Sequence, residues 1–166
     1  MSKFALAAAL AGAGLACSAS AISAQDKGQD ADQVVVSQSE VEGTTPPADY
    51  FTGKVYLYML TKPTAPGQAG TALVTFTPGA RTNWHSHPAG QTFYVTQGCG
   101  WTQAEGQAPQ RVCAGDMAYV KPGVRHWHGA TANEAMSHIA ITESLNGKNV
   151  EWQEPVTDAQ FTGPAN

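Results

Sequence analysis

Charge is scarce in this sequence: only 13% of its 166 residues are Asp, Glu, Lys or Arg. Long surface helices need a charged outer face, so a mainly helical chain is disfavoured. Basic residues are scarcer still. Nine Lys and Arg against thirteen Asp and Glu give a formal charge of −4, which leaves no basic patch for a phosphate backbone and argues against nucleic acid as a partner. No Gly-rich phosphate loop is present, and so no nucleotide cofactor is implied. The one long apolar run, Phe4 to Ala16, falls short of the roughly 20 residues that span a bilayer, so no membrane span is predicted. No repeat of solenoid length occurs.

What the chain has instead is glycine (17), proline (10) and 42% hydrophobic residues, enough for one domain with a modest core. Lys3, the run that follows it, and the small-residue triplets Ala19-Ser20-Ala21 and Ile22-Ser23-Ala24 predict that residues 1–24 are a cleavable secretory signal leading to the periplasm. Cys17 lacks the Leu three positions earlier that a lipoprotein cysteine carries. The other two thiols, Cys99 and Cys113, are symmetric about Gly106, as in two strands joined by a turn. Two readings stay open: a disulfide across the hairpin, or two small buried hydrophobes in a sheet.

Residues 25–49 read as a linker with an edge strand at Val34-Val35-Val36, a segment available for pairing in a homodimer or higher homo-oligomer. From 50 to 145 the sequence breaks into short runs rich in Val, Thr, Tyr, Phe and Ile, punctuated by Gly or Pro. Strands are predicted at Gly53 to Leu60, Gly70 to Phe76, Thr92 to Thr96, Met117 to Val120 and Met136 to Thr142, the pattern of an all-β barrel or sandwich. Residues 146–166 read as a C-terminal extension packed on the barrel, with a strand near Val150 to Pro155 and a helical turn near Thr157 to Phe161.

All five histidines fall within the barrel segment. His85 and His87, like His126 and His128, are spaced i, i+2, so on a strand each pair projects from one face. Pro88-Ala89-Gly90 then turns the chain and returns Gln91 towards the first pair. Imidazoles crowded without partners would leave nitrogens unsatisfied and would repel once protonated, whereas a divalent metal satisfies them. The competing reading for each ring alone is a hydrogen-bonded core histidine. Ala72, Val74, Phe93 and Val95 alternate as an apolar pocket wall would, and equally as any barrel core would. Trp84 and Trp127 sit out of phase with the histidines and are assigned to packing on the opposite face. Arg81 and Arg125 are read as solvated surface residues before they are read as binders of a substrate carboxylate.

The run Gly79-Ala-Arg-Thr-Asn-Trp-His85-Ser-His87-Pro-Ala-Gly-Gln91-Thr-Phe-Tyr-Val-Thr-Gln-Gly98 resembles the first cupin motif: glycine, five residues, His-x-His, three residues, an acid, six residues, glycine. Gly115-Asp-Met-Ala-Tyr-Val-Lys-Pro122-Gly123-Val-Arg-His126 resembles the second. With His126-Trp-His-Gly, Met136-Ser-His-Ile and Val150-Glu-Trp-Gln-Glu-Pro, the chain is similar to small cupins that include metal-dependent bacterial hydroxynitrile lyases. The resemblance implies a single-domain jelly-roll barrel and one divalent metal per chain, manganese first, with iron, cobalt or nickel open. His85, His87, Gln91 and His126 would be its ligands, and His128 a base beside it. His138 would be a further pocket histidine with a catalytic place, and Ala72, Val74 and Thr142 would line the pocket of a small-molecule substrate, to which the alternation above adds Phe93.

Two departures matter. Gln91 stands where most cupins have glutamate, so an ion there would keep its full charge and act as a stronger Lewis acid. Thr142 stands where the lyases have glutamine, which bears on how a substrate is oriented. The implied reaction is cleavage of a cyanohydrin into a carbonyl compound and hydrogen cyanide. A cupin dioxygenase using the same site, and a periplasmic binding module without turnover, are the alternatives. A purely structural zinc is disfavoured, because the cysteines are remote in sequence from the histidine motifs.

Overall fold

The computed structural model describes residues 33, 35–62 and 69–161. The predicted signal over 1–24, position 34 and the last five residues lie outside that range. Among the described residues the chain is almost entirely strand, as its content of β-branched residues, glycine and proline requires. Two strand pairs bracket the entry to the barrel: β1 (Gly43–Thr44) lies on the edge of β3 (Val55–Thr61), and β2 (Phe51–Thr52) pairs with β5 (Arg81–Thr82). The remaining strands are β4 (Ala69–Phe76), β6 (His85–Ser86), β7 (Gln91–Ala104), β8 (Gln110–Cys113), β9 (Met117–Val120), β10 (His126–Ala130), β11 (Met136–Glu143) and β12 (Glu151–Trp152), followed by α1 (Asp158–Phe161).

Every pairing is antiparallel, and the long strand β7 belongs to two sheets. Its first half lies between β9 and β11, in a sheet that continues through β4 and β3. Its second half lies between β8 and β10, in a sheet that continues to β5 and β6. The two sheets therefore share one strand and curl around a common interior, the arrangement of a jelly-roll barrel. Gly98 and Gly100 lie where β7 passes between the sheets. A Cβ on Gly100 would stand 2.1 Å from the Gly129 carbonyl oxygen and 2.4 Å from the Met136 sulfur, so only glycine allows this approach.

The core forms on both sides of the second sheet. Inside, Val55, Ala72, Val74, Phe76, Phe93 and Val95 are buried together with Met136. Outside, Trp84 and Trp127 pack with Val156 and Phe161, so these two tryptophans do face away from the histidines and hold the C-terminal segment down. Arg81 corrects the expectation of a solvated side chain. It is 5% exposed, its guanidinium donates to the Val156 carbonyl at 2.9 and 3.1 Å and to Asp158 at 2.6 Å, and it lies over the Phe161 ring. Arg125 is also half-buried, stacked 4.4 Å over Trp84 and bonded to Gln153, Glu105 and Glu154. Phe161 covers the Arg81 guanidinium and Trp84 one face of Arg125.

The predicted N-terminal edge strand is absent from its described part, since Val35 and Val36 are not in a strand; the linker instead contributes Gly43–Thr44. Cys99 stands directly opposite Cys113 in the β7–β8 register, and their sulfurs are bonded.

Candidate metal centre

β6 and β10 are paired so that His85 stands opposite His126. Antiparallel partners project from the same face, so both rings enter the barrel, with centroids 4.2 Å apart. His87 follows at the end of β6 and its ring is 5.1 Å from His85. The turn that follows closes with the Gly90 amide donating to the His87 carbonyl at 3.0 Å, and Gly90 has φ +83°. That reversal brings Gln91, the first residue of β7, back to the cluster, where its side-chain oxygen lies 3.0 Å from His126 Nε2.

The rings are oriented by backbone carbonyls. His85 Nδ1 donates to Asn83 at 2.9 Å, His126 Nδ1 donates to Val124 at 3.0 Å, and His87 Nδ1 donates to Asn149. A carbonyl only accepts, so in a neutral ring the proton sits on Nδ1 and the lone pair on Nε2 faces inward. Burial keeps the rings neutral. Desolvation holds His85 well below the ordinary histidine range, reinforced by His126 and His87. It lowers His87 despite the bond to Asn149, and pushes His126 down to about 4.

His128 lies one step along β10, fully buried, 5.2 Å from His85 and 4.9 Å from His138 between ring centroids. Desolvation drives its pKa well down, with repulsion from His138 and then His85 adding to it. The three histidines whose ligand atoms all lie within 4.8 Å of one another are His85, His126 and His128. Sequence reasoning placed His87 in that set and His128 outside it; the structure brings all four rings together with Gln91, the His87 and His128 rings lying 5.7 and 5.8 Å from His126. His138, on β11, packs between Phe76 and Phe93, and burial takes it to about 4, with the Ile139 backbone acting in the opposite direction.

These residues fit a divalent ion. The Nε2 of His87, Nδ1 of His128 and both nitrogens of His138 are buried without a hydrogen-bond partner, a costly arrangement unless a ligand satisfies them. Neutral imidazoles and an amide oxygen are suitable donors for mid-row metals.

Ala72, Val74 and Phe93 share the inner face, all of them buried members of the core cluster. Val74 and Val95 flank His138, Ala72 and Phe93 flank Ala140, and Thr142, half-buried, lies between Gly70 and Gln91. The alternating pattern thus gives one set of residues that is both barrel core and wall of the histidine chamber. Sequence reasoning missed Trp152, opposite His85 on β12, whose ring is 5.0 Å from His85 and stacks on Tyr50 at 4.9 Å. It missed Asn83 and Asn149 too, since a ligand's carbonyl partner leaves no trace in side-chain type.

Comparison with known proteins agrees with this geometry. The family model described as "Cupin domain" matches residues 72–142. An (R)-mandelonitrile lyase from Granulicella tundricola is 50% identical over 127 residues, 76% of this chain and 95% of that protein. A cupin-like protein from Thermotoga maritima superposes with a TM-score of 0.68 at 38% identity, covering 72% of this chain and 90% of that one. A predicted oxalate decarboxylase from the same organism shares the fold at 23% identity, with a TM-score of 0.61 over 68% of this chain and 100% of that one. With its two histidine motifs on adjacent strands of a curled antiparallel barrel, the chain belongs to the cupin family.

Proposed function

We propose that this cupin is a metal-dependent lyase that splits cyanohydrins into a carbonyl compound and hydrogen cyanide. The observation that carries the reading is the unpartnered, neutral imidazole of His128 beside the His85–His126 pair, in a chain half identical to a protein named for that reaction. His85, His87, Gln91 and His126 would hold one divalent ion, manganese first, which would act as a Lewis acid towards an oxygen brought to it.

The chain's own residues supply the rest. His128 takes the cyanohydrin hydroxyl proton on Nδ1. The oxygen's electron pair closes the carbonyl as the carbon–carbon bond to the nitrile breaks, and cyanide leaves with the bonding pair. Because burial disfavours the charged ring, the proton is held weakly and passes to cyanide, giving neutral HCN and restoring the base. His138 lies close enough to His128 to orient it or the nitrile. Phe76, Phe93 and Val74 keep water away, and Thr142 beside Gln91 sets the room at the substrate end. We place the reaction outside the cytosol, in the periplasm, where a bond such as Cys99–Cys113 persists.

The test is racemic mandelonitrile incubated with manganese-loaded protein. Benzaldehyde and cyanide should form, and His128→Ala should lower kcat by about 10² to 10⁴. Benzaldehyde no faster than in the His128→Ala reaction overturns the reading.

A further inference from the structure

β5 and β6 run end to end, separated only by Asn83 and Trp84, and both pair with β10 on one side. On the other side the neighbour changes: β5 pairs with β2, and β6 with β12. Asn83 stands at that seam and is 3% exposed. Its main-chain amide donates to the Tyr50 carbonyl at 2.8 Å. Its side-chain nitrogen has two hydrogens and donates across the gap, to the Asp49 carbonyl at 2.8 Å and the Gln153 carbonyl at 3.1 Å. One buried amide therefore ties the segment entering β2 to the segment leaving β12. Burying an amide costs desolvation that is offset only when its hydrogens are placed, and here both are.

The seam brings Tyr50 beside Trp152, the residue before Gln153. Their rings stack at 4.9 Å, nearly parallel at 13°, and Trp152 lies 5.0 Å from the His85 ring. Tyr50 is 37% exposed and His85 1%, so the stack forms a wall between that histidine and water. His85 is thus held twice, at Nδ1 by the Asn83 carbonyl at 2.9 Å and beside its ring by Trp152. We infer that Asn83 is the positioning residue for His85. Its side chain closes the seam, the closed seam keeps both the Asn83 carbonyl and the Tyr50–Trp152 wall in place, and these two fix the direction of the His85 Nε2 lone pair. The ring orientation itself needs no ion. On the reading of this cluster as a metal centre, a ring free to turn would have to be reordered when an ion binds, and affinity would fall by about tenfold to a hundredfold.

Long-range proton–nitrogen NMR of the histidine rings, recorded on the chelated full chain, reads this without a metal. Wild type should show His85 as a single Nδ1–H tautomer, its signals identified by their loss in His85→Gln. Asn83→Ala removes both donors, and Asn83→Asp keeps the size but offers at most one hydrogen to the two carbonyls. Each should broaden the His85 signals or move them towards a mixture of tautomers, with His138 unchanged. Manganese affinity by calorimetry should fall by about tenfold or more in the same variants. Trp152→Leu leaves the seam bonded and removes the wall, so it should disturb His85 as well, and it keeps the test open if neither Asn83 variant folds. His85 signals identical to wild type in both Asn83 variants, or in Trp152→Leu, overturn the inference. So does an equal disturbance of all five histidines, which would make Asn83 a residue of general stability. A wild-type chain that binds no divalent ion would sink the metal reading instead, and the ring comparison would still decide for or against Asn83.

Discussion

The Nε2 of His126 faces the side-chain oxygen of Gln91 across 3.0 Å. With the ring neutral and its proton on Nδ1, bonded to Val124, both facing atoms present lone pairs and no hydrogen lies between them. Such a contact is repulsive unless a cation joins the two.

Removing one side of that pair should therefore weaken metal binding. Titration calorimetry with manganese should give one equivalent per chain, and Gln91→Ala should lower affinity by about tenfold to a hundredfold. His87→Ala should lower affinity similarly and His128→Ala should leave it nearly unchanged. The reverse order would make His128 a ligand, in keeping with its place among the three histidines whose ligand atoms lie within 4.8 Å of one another, and would remove it from the role of base.

Acid should destabilise the metal-free fold. His126 and His138 have folded pKa values near 4, below the 6.5 of an exposed histidine, so the unfolded chain binds more protons between those limits. The stability gained by keeping them neutral is fully present above about pH 6.5 and is lost as pH falls towards 4. Urea unfolding of chelated protein should show a loss of about 2 kcal/mol per histidine between about pH 7.5 and 5. A flat profile across that range would mean that the rings already carry protons in the fold.

The bond between Cys99 and Cys113 closes a loop of sequence separation 14. Replacing both with alanine should cost about 3 kcal/mol, read as a lower denaturant midpoint at unchanged slope. A cost under about 1 kcal/mol would mean that the β7–β8 register persists in the unfolded chain without the bond.

Much of this was legible in the chain because two devices write themselves into sequence. The i, i+2 spacing of His85/His87 and His126/His128 fixes which side chains share a face, and the symmetry of Cys99 and Cys113 about Gly106 fixes a hairpin register. Strand limits at Met117–Val120 match because glycine and proline bound that run. β7 proved far longer than Thr92 to Thr96, since a strand shared by two sheets is sustained by partners on both sides that local pattern does not record. Arg81 was misread for a related reason: only the fold brings Val156 and Phe161, some eighty residues away, over its guanidinium. The division of roles between His87 and His128 depends on rotamers, which spacing does not encode.

The carbonyl of Asn149 sets the tautomer of His87, and the ring of Trp152 backs His85. Both come from the segment that follows the last long strand of the barrel, β11. The pairings among β4, β7, β10 and β11 do not involve that segment, whereas the orientation of His87 does. A chain cut short after β11 should therefore retain every proposed ligand and yet lack the acceptor that orients His87, a defect that no substitution among the ligands themselves would mimic.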